Sequence, residues 1–177
     1  MTDSMTRDSM SIEEINALDV GNFVARLGFL FEGSPWIAAR AWHARPFASL
    51  EQLHQSLCEV MNRAATGEKV AVIRAHPDLV GQAARAGTLT PESAGEQSSA
   101  GLDRLSPEEI AIFERLNQAY KAKFGFPFVI CVRENKKNSI LEGFAARLSN
   151  PSSVEIETAL HEIGRIAYLR MTDVVTE

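Results

Sequence analysis

This chain predicts an all-α fold, a single compact multi-helix domain with one short extended apolar segment near residues 126–132. Helix-start signatures recur along it, and no strand–helix–strand alternation interrupts them. One run alone is β-prone, Phe126-Pro127-Phe128-Val129-Ile130-Cys131-Val132, and one strand cannot make a sheet.

In chain order, residues 1–10 are polar, carry Met1, Met5 and Met10, and read as a disordered lead-in with Met5 or Met10 as alternative starts. The domain then runs over 11–177. Ser11-Ile12-Glu13-Glu14 fits a capping box, in which a serine and an acid three residues on satisfy each other's backbone N–H groups, and opens a helix over 11–17. A second helix is expected over 19–31, before Gly33. Ser34-Pro35 opens one over 35–45, with proline at the first position where its missing N–H costs nothing. Ser49-Leu50-Glu51-Gln52 opens 49–65, and Gly67 separates it from 68–75. That helix ends at His76-Pro77, because the residue before proline avoids the α region. Asp78 is placed to cap 78–86. Residues 87–99 are rich in Gly, Ser, Thr and Pro and read as a loop, from which Ser93-Ala94-Gly95-Glu96 opens a helix over 93–100. Ser106-Pro107-Glu108-Glu109 opens 107–124, which Gly125 ends. Helices over 138–149 and 152–173, divided by Asn150-Pro151, complete the chain.

Bulk properties narrow the function. The 177 residues suit one domain, and 45% hydrophobic residues supply a core. A net charge of −5 gives no nucleic-acid or membrane footprint, though it leaves room for a local basic site. No apolar run reaches the roughly 20 residues that span a bilayer. The start lacks the apolar stretch of a signal peptide, and the final Val-Val-Thr-Glu is not a peroxisomal address. Cys58 and Cys131 show no CxxC spacing and read as reduced cytosolic thiols. With no HExxH, no clustered Cys/His set and no DxDxDG or Gly-rich phosphate loop, neither a metal nor a cofactor is expected.

Four residues stand where their chemistry is unusual. On the last helix, Ile156, Ala159, Ile163, Ile166, Ala167 and Val174 share a face, and Arg170 lies in the middle of it. A guanidinium there either reaches a structural carboxylate or the rim, or clamps an anion through its two-pronged geometry. His76 is fixed on a rigid corner between helices, whereas His43, His54 and His161 lie in polar helical surroundings. Glu96 and Gln97 either belong to a capping turn or, with Ser93, meet a polar ring at the rim of that turn.

Taken together, Phe31-Glu32-Gly33-Ser34-Pro35-Trp36, Arg74-Ala75-His76-Pro77-Asp78-Leu79, Ser93-x-x-Glu96-Gln97, Ser99-Ala100-Gly101-Leu102, the run from Lys123 to Cys131, and Tyr168-Leu169-Arg170 resemble the 2-oxo-4-hydroxy-4-carboxy-5-ureidoimidazoline (OHCU) decarboxylases. Six motifs in order cover nearly the whole chain. The resemblance implies an all-helical homodimer that converts OHCU to (S)-allantoin and carbon dioxide without metal or cofactor. It implies His76 as catalytic, with Glu96. Pro77, Ser93, Glu96, Gln97, Phe128, Val129, Ile130, Cys131, Val132 and Arg170 are implied as substrate contacts, the 128–132 segment partly through its backbone. The absence of the peroxisomal tail seen in many eukaryotic members favours a cytoplasmic protein. Two other functions compete: a metal-dependent ureide hydrolase and a non-catalytic ureide-binding module.

Overall fold

Two of the capping boxes read from the sequence start helices, one near the N-terminus and one past the middle of the chain. Ser11 Oγ accepts the Glu14 N–H at 3.2 Å while Glu14 accepts the Ser11 N–H at 2.8 Å, opening α1 (Ile12–Ala17). Ser106 and Glu109 do the same for α8 (Pro107–Phe124), where Gly125 at φ 76° makes the left-handed exit that glycine tolerates best. The structure is a computed structural model and describes residues 7–177. Between these helices lie α2 (Val20–Leu27), α3 (Trp36–Ala41), α4 (Leu50–Asn62), α5 (Thr66–Arg74), α6 (Gln82–Ala86) and α7 (Pro91–Ser99), and after them α9 (Lys137–Arg147) and α10 (Ser152–Thr172). Single 3₁₀ turns occupy 28–30, 42–44 and 132–134. No helix among the described residues is long and apolar enough to cross a membrane.

Several boundaries move, each for a local reason. The helix expected over 19–31 tightens to 3₁₀ at Gly28, where the backbone passes so close to Pro35 that a Cβ would lie 3.1 Å from the proline Cβ. Ser34 contributes its carbonyl, not its hydroxyl, to α3, because Oγ donates to the Glu32 carbonyl. Ser49 caps α4, but Gln52 reaches back to the N–H of Ala48 instead of that of Ser49. Glu68 takes the Ala65 N–H, so α5 starts early enough to include Gly67. The helix expected from Ser93 begins at Pro91. Thr90 is its cap, accepting from the Ser93 N–H, and Ser93 lies buried inside the first turns. Asp78 does not cap α6, which starts after Gly81; its carboxylate pairs with Lys121 at 2.6 Å.

The only sheet among the described residues is a two-residue parallel pair, β1 (Met10–Ser11) with β2 (Val175–Thr176). Met10, expected within a disordered lead-in over 1–10, is therefore a paired strand residue. Arg7 lies over the Phe29 ring, and residues 1–6 fall outside the described part.

The chain divides into two compact units, Met1–Ala64 with Ala167–Glu177, and Ala65–Ile166, the boundary falling within α10. The first unit is centred on Ile15, Phe23, Leu27, Phe31, Leu53 and Leu57. The second is centred on Phe113, Tyr120, Phe128 and Phe144, with Phe128 stacked on Phe144 at 3.8 Å and Tyr120 edge-on to Phe128 at 5.3 Å. Of the segment expected to be extended over 126–132, residues 126–131 are not helical and pair with no strand, whereas Val132 opens the 132–134 3₁₀ turn, whose bonds close on Cys131 O and Val132 O.

Candidate functional site

The second unit brings together three stretches singled out from the sequence. At the exit of α5, the His76 N–H donates to Ile73 O at 3.1 Å, and Pro77 prevents a further helical turn. His76 is 7% exposed, and its Nδ1 lies 3.0 Å from the Val72 carbonyl. A carbonyl can only accept, so Nδ1 carries the proton of the neutral ring, and the lone pair sits on Nε2.

The corner that follows is held by side chains. Val80 adopts φ 55°, a left-handed conformation that a β-branched residue enters only when its surroundings demand it. Three groups supply the demand. Gln97 Oε1 accepts the Val80 N–H at 3.0 Å, and Gln97 Nε2 donates to Asp78 O at 3.4 Å. Asn117 Nδ2 donates to Leu79 O at 2.8 Å, and Lys121 pairs with Asp78. The next residue must be glycine, because a Cβ on Gly81 would lie 2.6 Å from that of Asp78. Gln97, expected to touch substrate, thus spends both ends of its amide on the His76 corner. It also fastens that corner to α7, which carries Ser93 and Glu96.

On its other side α7 packs against the 132–134 turn. Glu96 is half-buried there, near enough for its charge to act on Cys131. Burial, then the charges of Glu134 and Glu162 and more weakly Glu96, push the Cys131 thiol up to about 11. It is therefore a neutral, buried thiol at physiological pH, not a nucleophile. Cys58 is likewise raised to about 11 by burial. His76, Pro77, Ser93, Glu96, Gln97 and Phe128–Val132 all belong to this unit. Among the described residues, no group of three or more His, Cys, Asp and Glu could hold a metal ion.

Arg170 belongs to the first unit and is 3% exposed. Its Nη1 donates to Glu32 Oε2 at 3.0 Å and to Phe29 O at 3.1 Å. Of the two alternatives drawn from the sequence, a structural carboxylate is therefore present. Of the other histidines, His43 is edge-on to Trp42, His54 meets Tyr168 and Cys58, and His161 is exposed.

Sequence reasoning missed Arg147 and Glu155. Glu155 is fully buried and receives Tyr120 Oη, Arg147 Nε and Asn150 Nδ2, the last at 3.0 Å. Arg147 also donates through Nη1 to Val129 O at 2.6 Å, and its guanidinium lies 4.3 Å over the Phe128 ring. The signal was available: Ile140, Phe144 and Arg147 fall on one buried helical face, the same mismatch of charge and stripe that drew attention to Arg170.

Comparison with known proteins follows the same lines. A family model described as OHCU decarboxylase matches residues 16–172. The chain is similar to the 2-oxo-4-hydroxy-4-carboxy-5-ureidoimidazoline decarboxylase of Amia calva, 40% identical over 166 residues that cover 94% of this chain and 95% of that one. It is similar to the protein of the same name from Halalkalicoccus jeotgali, 38% identical over 96% of this chain and 93% of that one. Among solved structures it resembles an OHCU decarboxylase crystallised in the presence of (S)-allantoin, with a TM-score of 0.63 and 25% identity over 77% of this chain and 88% of that one.

Proposed function

The chain belongs to the OHCU decarboxylase family, and from that premise we propose that it decarboxylates OHCU to (S)-allantoin in urate degradation, with His76 as the acid–base group. The observation that carries the role of His76 is its fixed tautomer on a corner tied to α7 by Gln97.

The chemistry asks little of the protein beyond positioning and proton control. The substrate carries its carboxylate on a ring carbon next to a C=N bond. When the bond to the carboxyl carbon breaks, its electron pair forms a C=C bond to the neighbouring ring carbon, the C=N pair moves onto the imine nitrogen, which takes a proton, and carbon dioxide leaves. The ring hydroxyl then loses its proton as a carbonyl forms, and the neighbouring ureido-bearing carbon takes a proton on one face, which sets the stereocentre. Because the electron sink lies within the substrate, we propose a cofactor-independent reaction, and activity should survive exhaustive dialysis against EDTA. Recovery only on adding a metal would support the ureide hydrolase instead.

In this scheme Nε2 of His76 moves the proton, and Glu96 at the rim of α7 holds N–H groups of the ring or ureido arm. Ser93 on α7 and Pro77 on the His76 corner are further contacts, Phe128 to Val132 meet the ring, and Arg170, oriented by Glu32, holds an anionic oxygen. We also propose one functional domain, since the family match runs through both units, and a homodimer acting in the cytoplasm. Light scattering should give twice the chain mass.

The test is His76→Asn, which keeps a donor for Val72 O but lacks the Nε2 base. Turnover of fresh OHCU, followed by circular dichroism of the chiral product, should fall by about 10²–10⁴-fold. A folded variant with near wild-type turnover would show that His76 only braces the corner. A protein that binds (S)-allantoin without accelerating OHCU loss would be the binding module.

A further inference from the structure

The extended segment that sequence reasoning placed against the substrate has no ladder to hold it, yet its backbone is not left to itself. On one side, Val129 O accepts from Arg147 Nη1 at 2.6 Å, and the Cys131 N–H donates to Glu162 Oε2 at 2.7 Å. On Cys131 O converge Asn135 Nδ2 at 2.9 Å and the Glu134 N–H at 3.1 Å. The residue between, Ile130, is treated differently. No hydrogen bond joins its N–H or its C=O to another described residue.

Peptide planarity makes this a geometric statement. Val129 C=O and Ile130 N–H belong to one trans peptide and point in opposite directions. Ile130 C=O and Cys131 N–H belong to the next, and are opposed in the same way. Fixing Val129 O with Arg147 therefore turns the Ile130 N–H away from Arg147. Fixing the Cys131 N–H with Glu162 turns the Ile130 C=O away from Glu162. In extended chain these two groups lie side by side on one edge, as the groups of one residue do in a strand. A donor beside an acceptor is the complement of an amide or ureide edge, which presents C=O beside N–H.

We propose that Arg147 and Glu162 are positioning residues that aim the Ile130 N–H and C=O as a paired edge for the ureide portion of the ligand. This rests on the proposed site, since it takes the 128–132 segment as the ligand-facing one. Arg147 is held for the task by Glu155, whose carboxylate Tyr120 and Asn150 also grip, so the arginine cannot swing away from Val129. Glu162 acts from α10, seven residues and two turns after Glu155, so the two acids share a helix face. Neither Arg147 nor Glu162 needs to touch the ligand.

The experiment compares Glu162→Ala with Glu162→Gln, because Glu162 is only half-buried and its loss spares the core. Glutamine keeps an oxygen for the Cys131 N–H and alanine does not. Glu162→Ala should raise KM for OHCU and Kd for (S)-allantoin together, by about tenfold, the scale of one hydrogen bond to a charged group. Glu162→Gln should restore both to within about twofold to threefold, the difference between a charged and a neutral acceptor. Both quantities are intrinsic to folded molecules, so a purely structural role, which lowers only the folded fraction, would leave them unmoved. Arg147→Lys, measured by the same two constants, should weaken binding similarly, since one ammonium cannot reach both Glu155 and Val129 O in the arginine's geometry. Unchanged KM and Kd in folded Glu162→Ala would overturn the inference while leaving the decarboxylase intact. Absence of turnover in the wild type, with (S)-allantoin binding that still responds to Glu162→Ala, would overturn the decarboxylase and leave the inference standing. A wild type that neither turns over OHCU nor binds (S)-allantoin would overturn both.

Discussion

Arg170 in the first unit and Arg147 in the second are built alike and used differently. Each is a buried guanidinium paired with a buried carboxylate, Glu32 or Glu155, and each also donates to a backbone carbonyl, Phe29 O or Val129 O. Arg170 Nη1 reaches both Glu32 and Phe29 O, whereas Arg147 reaches Glu155 with Nε and Val129 with Nη1. The second arrangement spreads the guanidinium across two structures and so fixes its plane. The comparison teaches that burial of a charge does not by itself mark a ligand site. The second arm differs: it reaches a helix-end turn for Arg170 and, for Arg147, the extended segment proposed to face the ligand.

The largest expected effect is on Glu155. Glu155→Ala leaves Arg147 charged and buried and strips Tyr120 and Asn150 of their acceptor. It should destabilise the protein by about 3–5 kcal/mol, as removal of one partner of a buried pair does. Chemical denaturation measures it, and a loss under about 1 kcal/mol would mean that water replaces the carboxylate and the pair is not dry. Arg170→Met comes next. It takes the arginine's charge and Nη1 donor from buried Glu32, and a loss of about 3 kcal/mol is expected. The sequence alone also allowed a clamp satisfied only by ligand, for which the same substitution should raise the melting temperature; a rise would show that the Glu32 contact stabilises nothing. Double substitutions then separate stability from binding. Arg170→Met with Glu32→Leu, and Arg147→Met with Glu155→Leu, should each recover stability to within about 1–2 kcal/mol of wild type, since apolar replacement of a whole buried pair is often neutral. Both should keep a raised KM, the first because the proposed anion contact of Arg170 is gone, the second because Val129 O, which orients the Ile130 N–H, loses its anchor.

The smallest effect is expected at Cys131, whose backbone rather than thiol serves the segment. Cys131→Ser should leave turnover within about threefold of wild type, the scale of an unfavourable but small core change. A thiol raised to about 11 by burial supports the folded state in its neutral form. That contribution is complete below the unfolded value near 9 and is lost as pH rises toward 11. Wild-type melting should therefore fall more steeply than that of Cys131→Ser between those pH values.

How much of this was legible in the sequence depends on the range of the interaction. The caps at Ser11 and Ser106 are read three residues apart, and they are where the sequence puts them. The corner at His76 is legible because proline acts on its immediate neighbour. Asp78 and Ser93 were misjudged because each looked like a local cap. The competing partners, Lys121 for Asp78 and Thr90 for the α7 start, either lie far along the chain or begin the helix earlier. Gln97 was expected as a substrate contact, but its bonds to Asp78 and Val80 span 19 and 17 residues and no periodicity announces them. The Arg147 pair was missed because attention stopped at the first charged residue found on an apolar stripe.

The parallel pairing of Met10–Ser11 with Val175–Thr176 carries a topological consequence. It joins two stretches of the first unit that the second unit separates along the chain, so that unit is discontinuous in sequence and continuous in space. A circular permutant that opens the chain between Ala64 and Ala65 and bridges the old termini with a short flexible linker would place all of the second unit ahead of all of the first. The nested order would become a tandem one, with the strand pair turned from a clasp between distant segments into a local connection.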